Sequence, residues 1–317
     1  MATIVITEFM DARAVAQLAA RHDVLYDPQL VDDSPRLLAE VSRCDALIVR
    51  NRTQVRDTLL AALPAHCRVV GRLGVGLDNI DVAGCEARGL QVIPATGANA
   101  LSVAEYVIGT AMLLLRGAYQ STAAVAAGRW PRTPLSQGRE IAGKRLGLIG
   151  FGSIGQLTAS LARGLGMEVV AFDAQFDSDH PAYLNSGVRG TGLEEVMTTS
   201  DVLSLHVPLL PSTRGLLNAT RIAAMKRGAV LINTARGGIV DEVAVAEALR
   251  SGHLGGAALD VFDTEPLGAS AHFEGCPNLV LTPHVAGVTA EANERVSFMI
   301  ADQVNQALER AHQGAAP

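Results

Sequence analysis

"RLGLIGFGSIGQLTASLARGLG", residues 145–166, turns from an apolar strand pattern into a helical one across three glycines, Gly150, Gly152 and Gly155. Their G-x-G-x-x-G spacing, after a strand and at the head of a helix, is the arrangement that seats a pyrophosphate. The first glycine permits a tight turn, the second lets backbone approach the phosphates, and the third lets the helix lie close to the strand. The free N–H groups of that helix start face the anion. The next strand, "EVVAFD" (168–173), ends on Asp173, where a carboxylate can accept hydrogen bonds from both adenosine ribose hydroxyls. No arginine follows in "AQFDSD" to hold a 2′-phosphate, so the expected cofactor is NAD rather than NADP.

On either side, short β-branched runs alternate with helical patterns. Strands are expected at 3–7, 23–26, 46–50, 68–72 and 90–94, with helices near 11–21, 34–43, 54–62 and 80–88. A long helix at 99–119 carries two apolar faces, as a buried or subunit-contacting element would. A connector at 126–144, rich in Gly, Pro and Arg and holding the only tryptophan, leads into the glycine motif. Further strands follow at 201–208, 229–235, 255–262 and 278–283, then an amphipathic helix at 291–311. Strands separated by helices specify βαβ units and parallel sheets, an α/β fold.

With 317 residues and 49% of them hydrophobic, the chain can bury a large core in about two domains. The net charge of −6, with Lys and Arg scattered, leaves no basic stripe for nucleic acid. Cys44, Cys67, Cys85 and Cys276 lie far apart without metal or redox spacing. No metal site is expected, and the thiols read as reduced residues of a cytoplasmic protein. "MATIVITEFM" reads as a first strand rather than a secretory leader, and "YVIGTAMLLL" (106–115) is too short to cross a bilayer, so no membrane association is expected.

Three late strands are followed in turn by Arg236, Glu265 and His284. In a parallel sheet all carboxyl ends open on one edge, so these side chains are expected on the rim that carries the phosphate loop. A guanidinium holds a carboxylate in bidentate fashion, an imidazolium gives a proton to a carbonyl oxygen, and a neighbouring carboxylate favours the charged imidazole and orients it. That set suits hydride transfer to a 2-keto acid. Gly237 and Gly238 would let backbone and ligand approach closely. Asp260, in an apolar strand, needs a partner, and a nicotinamide carboxamide is one candidate. His206, also at a strand end, is the rival proton donor.

These residues resemble the D-isomer-specific 2-hydroxyacid dehydrogenase family through "GRLGVGLDNID" (71–81), "GFGSIG" (150–155), "HVPLLPSTRGLLN" (206–218), "MKRGAVLINTARGGIVDE" (225–242), "ALDVFDTEP" (258–266) and "LTPHVAGVT" (281–289). The resemblance implies two Rossmann- or flavodoxin-like, doubly wound parallel-sheet domains with a cleft between them. Residues 1–98 plus 287–317 would bind substrate, residues 99–286 would bind NAD, and a homodimer would form through residues 99–144. It implies catalysis by Arg236, Glu265 and His284, nicotinamide contacts from Thr234, Ala235 and Asp260, and pyrophosphate contacts from Ser153 and Ile154. Further cofactor contacts are expected at His206, Val207, Pro208, Thr213 and Gly287. The substrate carboxylate is expected on the backbone of Gly74, Val75 and Gly76.

Within the family, "GRLGVGLDNID" resembles the phosphoglycerate dehydrogenase branch, without the regulatory domain of its longer members. "ITEFMD" with "RNRTQVR" is similar to bacterial (S)-sulfolactate dehydrogenases. Arg50, Asn51, Arg52 and Arg72 are candidates to meet a small anionic substrate with a second anion at carbon 3, such as 3-sulfolactate or 3-phosphoglycerate. A hydroxypyruvate or glyoxylate reductase and a non-catalytic NAD(H)-sensing protein remain as alternatives.

Overall fold

The computed structural model describes residues 1–313. The chain divides into two compact units, Met1–Asn99 with Val288–Pro317, and Ala100–Gly287. Each is built on its own parallel sheet.

In the first unit, β1 (Thr3–Ile6), β2 (Asp23–Tyr26), β3 (Ala46–Val49), β4 (Val69–Arg72) and β5 (Gln91–Pro94) lie in the order β2-β1-β3-β4-β5. All neighbours are parallel. Every residue of β3, Ala-Leu-Ile-Val, is buried, as expected for a central strand covered on both faces. The order reverses between β1 and β3, and in doubly wound sheets ligands bind where it does. The helix Ala290–Gln313 returns to this sheet, with Ile300, Ala301, Val304 and Leu308 sharing a core with Ile4, Ile48 and Val69. Gly71 in β4 makes that packing possible. A Cβ there would stand 2.9 Å from the Ile300 Cγ2 and 3.0 Å from the Val304 Cγ2.

The second unit holds β6 (Arg145–Ile149), β7 (Glu168–Phe172), β8 (Arg189–Gly190), β9 (Val202–Leu205), β10 (Val230–Asn233), β11 (Gly256–Leu259) and β12 (Leu279–Leu281). Their order is β12-β11-β10-β9-β6-β7-β8, again parallel throughout. Only β8 has no counterpart in the sequence reading; two residues are too few to show a period. The long helix runs Ala100–Arg116. One side of it, including Val107, Ala111 and Leu115, packs with Leu146, Leu148 and Ile232, whereas Leu101 and Met112 are exposed. The order here reverses between β6 and β9, and the loops after β6, β9, β10, β11 and β12 share one edge.

Cys44, Cys67 and Cys85 are buried free thiols. Among the described residues no helix is long and apolar enough to cross a membrane, and no group of three His, Cys, Asp or Glu is arranged to hold a metal ion.

Replacing Gly71 with Ala should push the C-terminal helix off the sheet and lower stability by about 1–3 kcal/mol, the usual cost of overpacking. Urea denaturation of the purified variant measures this, and an unchanged midpoint would count against close packing at Gly71.

Candidate active site

The glycine turn has the features a dinucleotide requires. Gly150 adopts φ +97°, and a Cβ there would meet the His206 carbonyl oxygen at 2.5 Å. Gly155 faces the Gly150 carbonyl equally closely, which brings the helix Ser153–Gly164 down onto β6. At Gly152, the N-cap of that helix, a Cβ would point into open space. Ser153 and Ile154 begin the helix, whose first-turn N–H groups have no intrahelical acceptor. Asp173 closes the turn from the next strand: its carboxylate accepts from the Phe151 N–H at 2.7 Å and from the Gln175 N–H at 3.0 Å. Thr234, just beyond β10, has a buried hydroxyl oxygen without a partner. Space at Gly152, a carboxylate against the turn and an orphaned buried hydroxyl all fit a bound NAD.

The loop after β9 passes beside this turn. Val207 packs where a Gly150 side chain would stand. The Thr213 hydroxyl is engaged within its own loop, donating to the Pro208 carbonyl at 2.6 Å and accepting from the Leu210 N–H at 2.8 Å. His206 shares a 3.0 Å hydrogen bond with Ser204, and burial alone lowers its pKa from 6.5 to about 4. The ring is then neutral near pH 7 and is not an imidazolium acid, so the rival donor is disfavoured.

β10, β11 and β12 are neighbours, and their terminal loops carry the three polar groups. His284 Nδ1 lies 2.7 Å from Glu265 Oε2, and Glu265 Oε1 accepts from the Phe262 N–H at 3.0 Å. A carboxylate on Nδ1 leaves Nε2 as the working nitrogen. Both side chains remain partly solvent-accessible, His284 by 50% and Glu265 by 35%, so a substrate can reach the pair. His284 also sits at φ +55°, a left-handed conformation that a histidine adopts only when its surroundings impose it.

The surroundings responsible centre on Asp260, whose residue is only 1% exposed. Its carboxylate accepts from the Thr282 hydroxyl at 2.6 Å and from the N–H groups of Val285 and Ala286, each at 2.8 Å. The Asp260 carbonyl accepts from the His284 N–H. Asp260 thus has protein donors of its own, and through them it shapes the His284 loop next to the expected nicotinamide end. Gly287 ends that loop.

Arg236 is placed by Asn233, which is buried at the end of β10. The Asn233 side chain accepts from the Ala235 N–H and donates to the Arg236 carbonyl, cinching the turn. The Arg236 guanidinium donates to the Ala235 carbonyl at 2.6 Å. A Cβ on Gly237 would collide with the Phe262 backbone. That glycine admits the close backbone approach of the neighbouring Glu265-bearing loop. An Asn at a strand end is a recognisable turn former, and Asn233 plays that part here.

The first unit has its own cluster at the β1/β3 reversal. Arg50 donates to Asn293 Oδ1 at 2.8 Å and lies over the Phe9 ring. Arg52 is more than half exposed and pairs with Asp32, as an ordinary surface ion pair does. Asn51 is exposed, and its backbone N–H is taken by Glu8. Arg72 folds over Gly74 to donate to the Leu73 carbonyl, which accounts for the glycine at φ +154°. Val75 and Gly76 continue that loop, partly exposed.

Because native His206 binds its proton only near pH 4, whereas an unfolded histidine does so near 6.5, protonation favours the unfolded chain. Stability at this site is complete above that range and declines as pH falls through it. His206→Asn should flatten this part of the stability–pH curve in urea titrations; an unchanged slope would refute the buried neutral ring.

Comparison with known proteins agrees with the geometry. Residues 108–286 match the D-isomer specific 2-hydroxyacid dehydrogenase NAD-binding domain. The (S)-sulfolactate dehydrogenase of Chromohalobacter salexigens is 51% identical over 97% of this chain and 99% of its own length. The D-3-phosphoglycerate dehydrogenase of Mycobacterium leprae is 41% identical over 87% of this chain, which spans about half (51%) of that longer protein. A solved structure from Thermus thermophilus superposes with a TM-score of 0.85 at 32% identity, covering 97% of each chain. The chain belongs to the D-isomer specific 2-hydroxyacid dehydrogenase family and is an NAD-dependent enzyme interconverting 2-hydroxy and 2-keto acids.

Proposed function

We propose that the substrate pair is a 2-hydroxy acid and its keto acid bearing a second anion at carbon 3, with 3-sulfolactate and 3-sulfopyruvate favoured over 3-phosphoglycerate. The single observation that carries the chemistry is the 2.7 Å contact between His284 and Glu265 on the sheet edge that also holds the glycine turn. The choice of sulfonate rests on the 51% identity, over nearly full length, to an (S)-sulfolactate dehydrogenase.

Bound NADH supplies the hydride for reduction, and NAD takes it up in the reverse direction. In the reading offered here, the Arg236 guanidinium grips the substrate carboxylate in a two-pronged hydrogen bond and polarises the adjacent carbonyl. His284 Nε2 gives its proton to the carbonyl oxygen in reduction and recovers it from the hydroxyl in oxidation. Glu265 holds the ring by Nδ1 and compensates its positive charge. Asp173 accepts the adenosine ribose hydroxyls, Ser153 and Ile154 offer N–H groups to the pyrophosphate, and Thr234, with its unpartnered hydroxyl, and Ala235 line the nicotinamide end. Arg50 is assigned the second anion, and the backbone of Gly74, Val75 and Gly76 the carboxylate. Arg52, exposed and paired with Asp32, is the second candidate for that anion.

We further propose that the protein is a cytoplasmic homodimer whose copies meet through residues 99–144. Support comes from the large apolar side chains left in water there: Met112 at 42%, Tyr119 at 63% and Trp130 at 78% exposure. Trp130→Glu should yield a monomer in sedimentation measurements; a wild-type monomer would refute the assignment.

The deciding assay is NADH oxidation with 3-sulfopyruvate, phosphohydroxypyruvate, hydroxypyruvate and glyoxylate. Sulfopyruvate should give the highest kcat/KM, and a preference for glyoxylate or hydroxypyruvate would overturn the substrate reading. His284→Gln should lower kcat by about 10²–10⁴-fold, the usual worth of a positioned acid–base group, while NADH still binds. Turnover close to wild type would remove His284 from its role.

A further inference from the structure

At the reversal point of the first sheet, between the ends of β1 and β3, a carboxylate is enclosed by backbone. Glu8 is 4% exposed. Its Oε1 accepts from the N–H groups of Arg50 (2.9 Å) and Thr53 (3.0 Å), and its Oε2 from those of Asn51 (3.3 Å) and Arg52 (3.0 Å). Four consecutive N–H groups form a nest that would otherwise suit an external anion. Here it is filled from within, so the backbone of this loop has no donor left for substrate. What it presents instead is the Arg50 side chain, half-buried, held by Asn293 and set over Phe9.

Two further contacts lock the same loop. The Thr7 and Thr53 hydroxyls lie 2.8 Å apart, and the Asn79 side-chain amide donates to the Thr53 carbonyl at 2.7 Å and to the Arg50 carbonyl at 3.3 Å. Burial pushes the Glu8 pKa up, but the hydrogen bonds from Thr53, Arg52 and Arg50 outweigh it and leave the carboxyl below its ordinary range. Burial likewise disfavours the charge on Arg50, and the nearby Glu8 charge opposes that effect.

We propose that Glu8 is a positioning residue for substrate selection, fixing the Arg50–Thr53 loop so that the Arg50 guanidinium is pre-set for the anionic group at carbon 3. This rests on the reading that Arg50 meets that group. A pre-set guanidinium binds without the entropy loss of ordering a free side chain, and a loosened loop reintroduces that loss. The effect falls on substrates that have the second anion and spares those that lack it, whereas a purely structural role affects both alike.

The test is steady-state kinetics with 3-sulfopyruvate and with glyoxylate, which has no carbon 3, for the wild type, Glu8→Gln, Arg50→Gln and the double variant. Gln keeps the size of Glu8 but turns an amide donor toward the nest. Expected is a loss of about tenfold or more in kcat/KM for sulfopyruvate, carried by KM, with a far smaller change for glyoxylate. In the Arg50→Gln background the Glu8 change should add almost nothing, because coupled residues are not additive. Equal losses on both substrates, or a full additional loss in the double variant, would overturn the proposal. If Arg50→Gln itself leaves the sulfopyruvate preference intact, the assignment of Arg50 fails first, and that result is read without any Glu8 variant. Should Glu8→Gln not fold, Glu8→Asp, which keeps the charge but cannot reach all four donors, is assayed in the same way with the same two outcomes.

Discussion

The Asp260 carboxylate, almost excluded from water, must have its charge dispersed by hydrogen bonds, and the residues that do so belong to the loop that bears His284. Thr282, Val285 and Ala286 each donate to it, and Thr282 in turn bonds the Tyr106 hydroxyl at 2.6 Å. Leaving a buried acceptor without one of its donors costs about 1–3 kcal/mol, so each of these bonds ties the turn 282–286 to Asp260. Together they hold His284 at its positive φ, with its N–H bonded to the carbonyls of Asp260 and Thr282. With backbone and neighbours committed, the imidazole is left with one internal partner, Glu265, and one free nitrogen. The His284–Glu265 pair is thus built from β11 outward.

Glu8 repeats the device in the other sheet. In both units an acidic side chain just beyond a strand end gathers backbone N–H groups from another loop or segment: Glu8 those of residues 50–53, Asp260 those of Val285 and Ala286. Backbone donors at such edges have no strand to pair with, and a carboxylate satisfies several at once while removing their freedom. The glycines complement this. Gly150 against His206 and Gly237 against Phe262 bring loops from different strands into backbone contact, where any side chain would wedge them apart. Positioning at this edge therefore comes from glycines that admit close approach and acids that secure it.

Much of the architecture was legible in the sequence because it follows from local periodicity. Strand-and-helix alternation identifies parallel α/β sheets, and the glycine spacing with Asp173 identifies the dinucleotide turn. The order Arg236, Glu265, His284 after three late strands needs only the rule that parallel strands end on one edge. What escaped were residues whose role depends on distant partners. The donors that tie Asp260 to the His284 loop lie more than twenty residues away, so that structural role has no local signature. Arg52 and Arg50 look alike in "RNRT", yet one is spent on Asp32 and the other is held by Asn293, 243 positions along the chain.

The amino-acid sequence by itself determined the fold class, the cofactor turn and the identity of the polar groups at the strand ends, because each is written in spacing along the chain. Only the tertiary structure decided which partner each arginine of a basic loop takes, which buried acid shapes backbone, and which histidine burial keeps neutral. Those outcomes depend on burial and on hydrogen bonds between segments far apart in sequence, and neither is defined until the chain has packed.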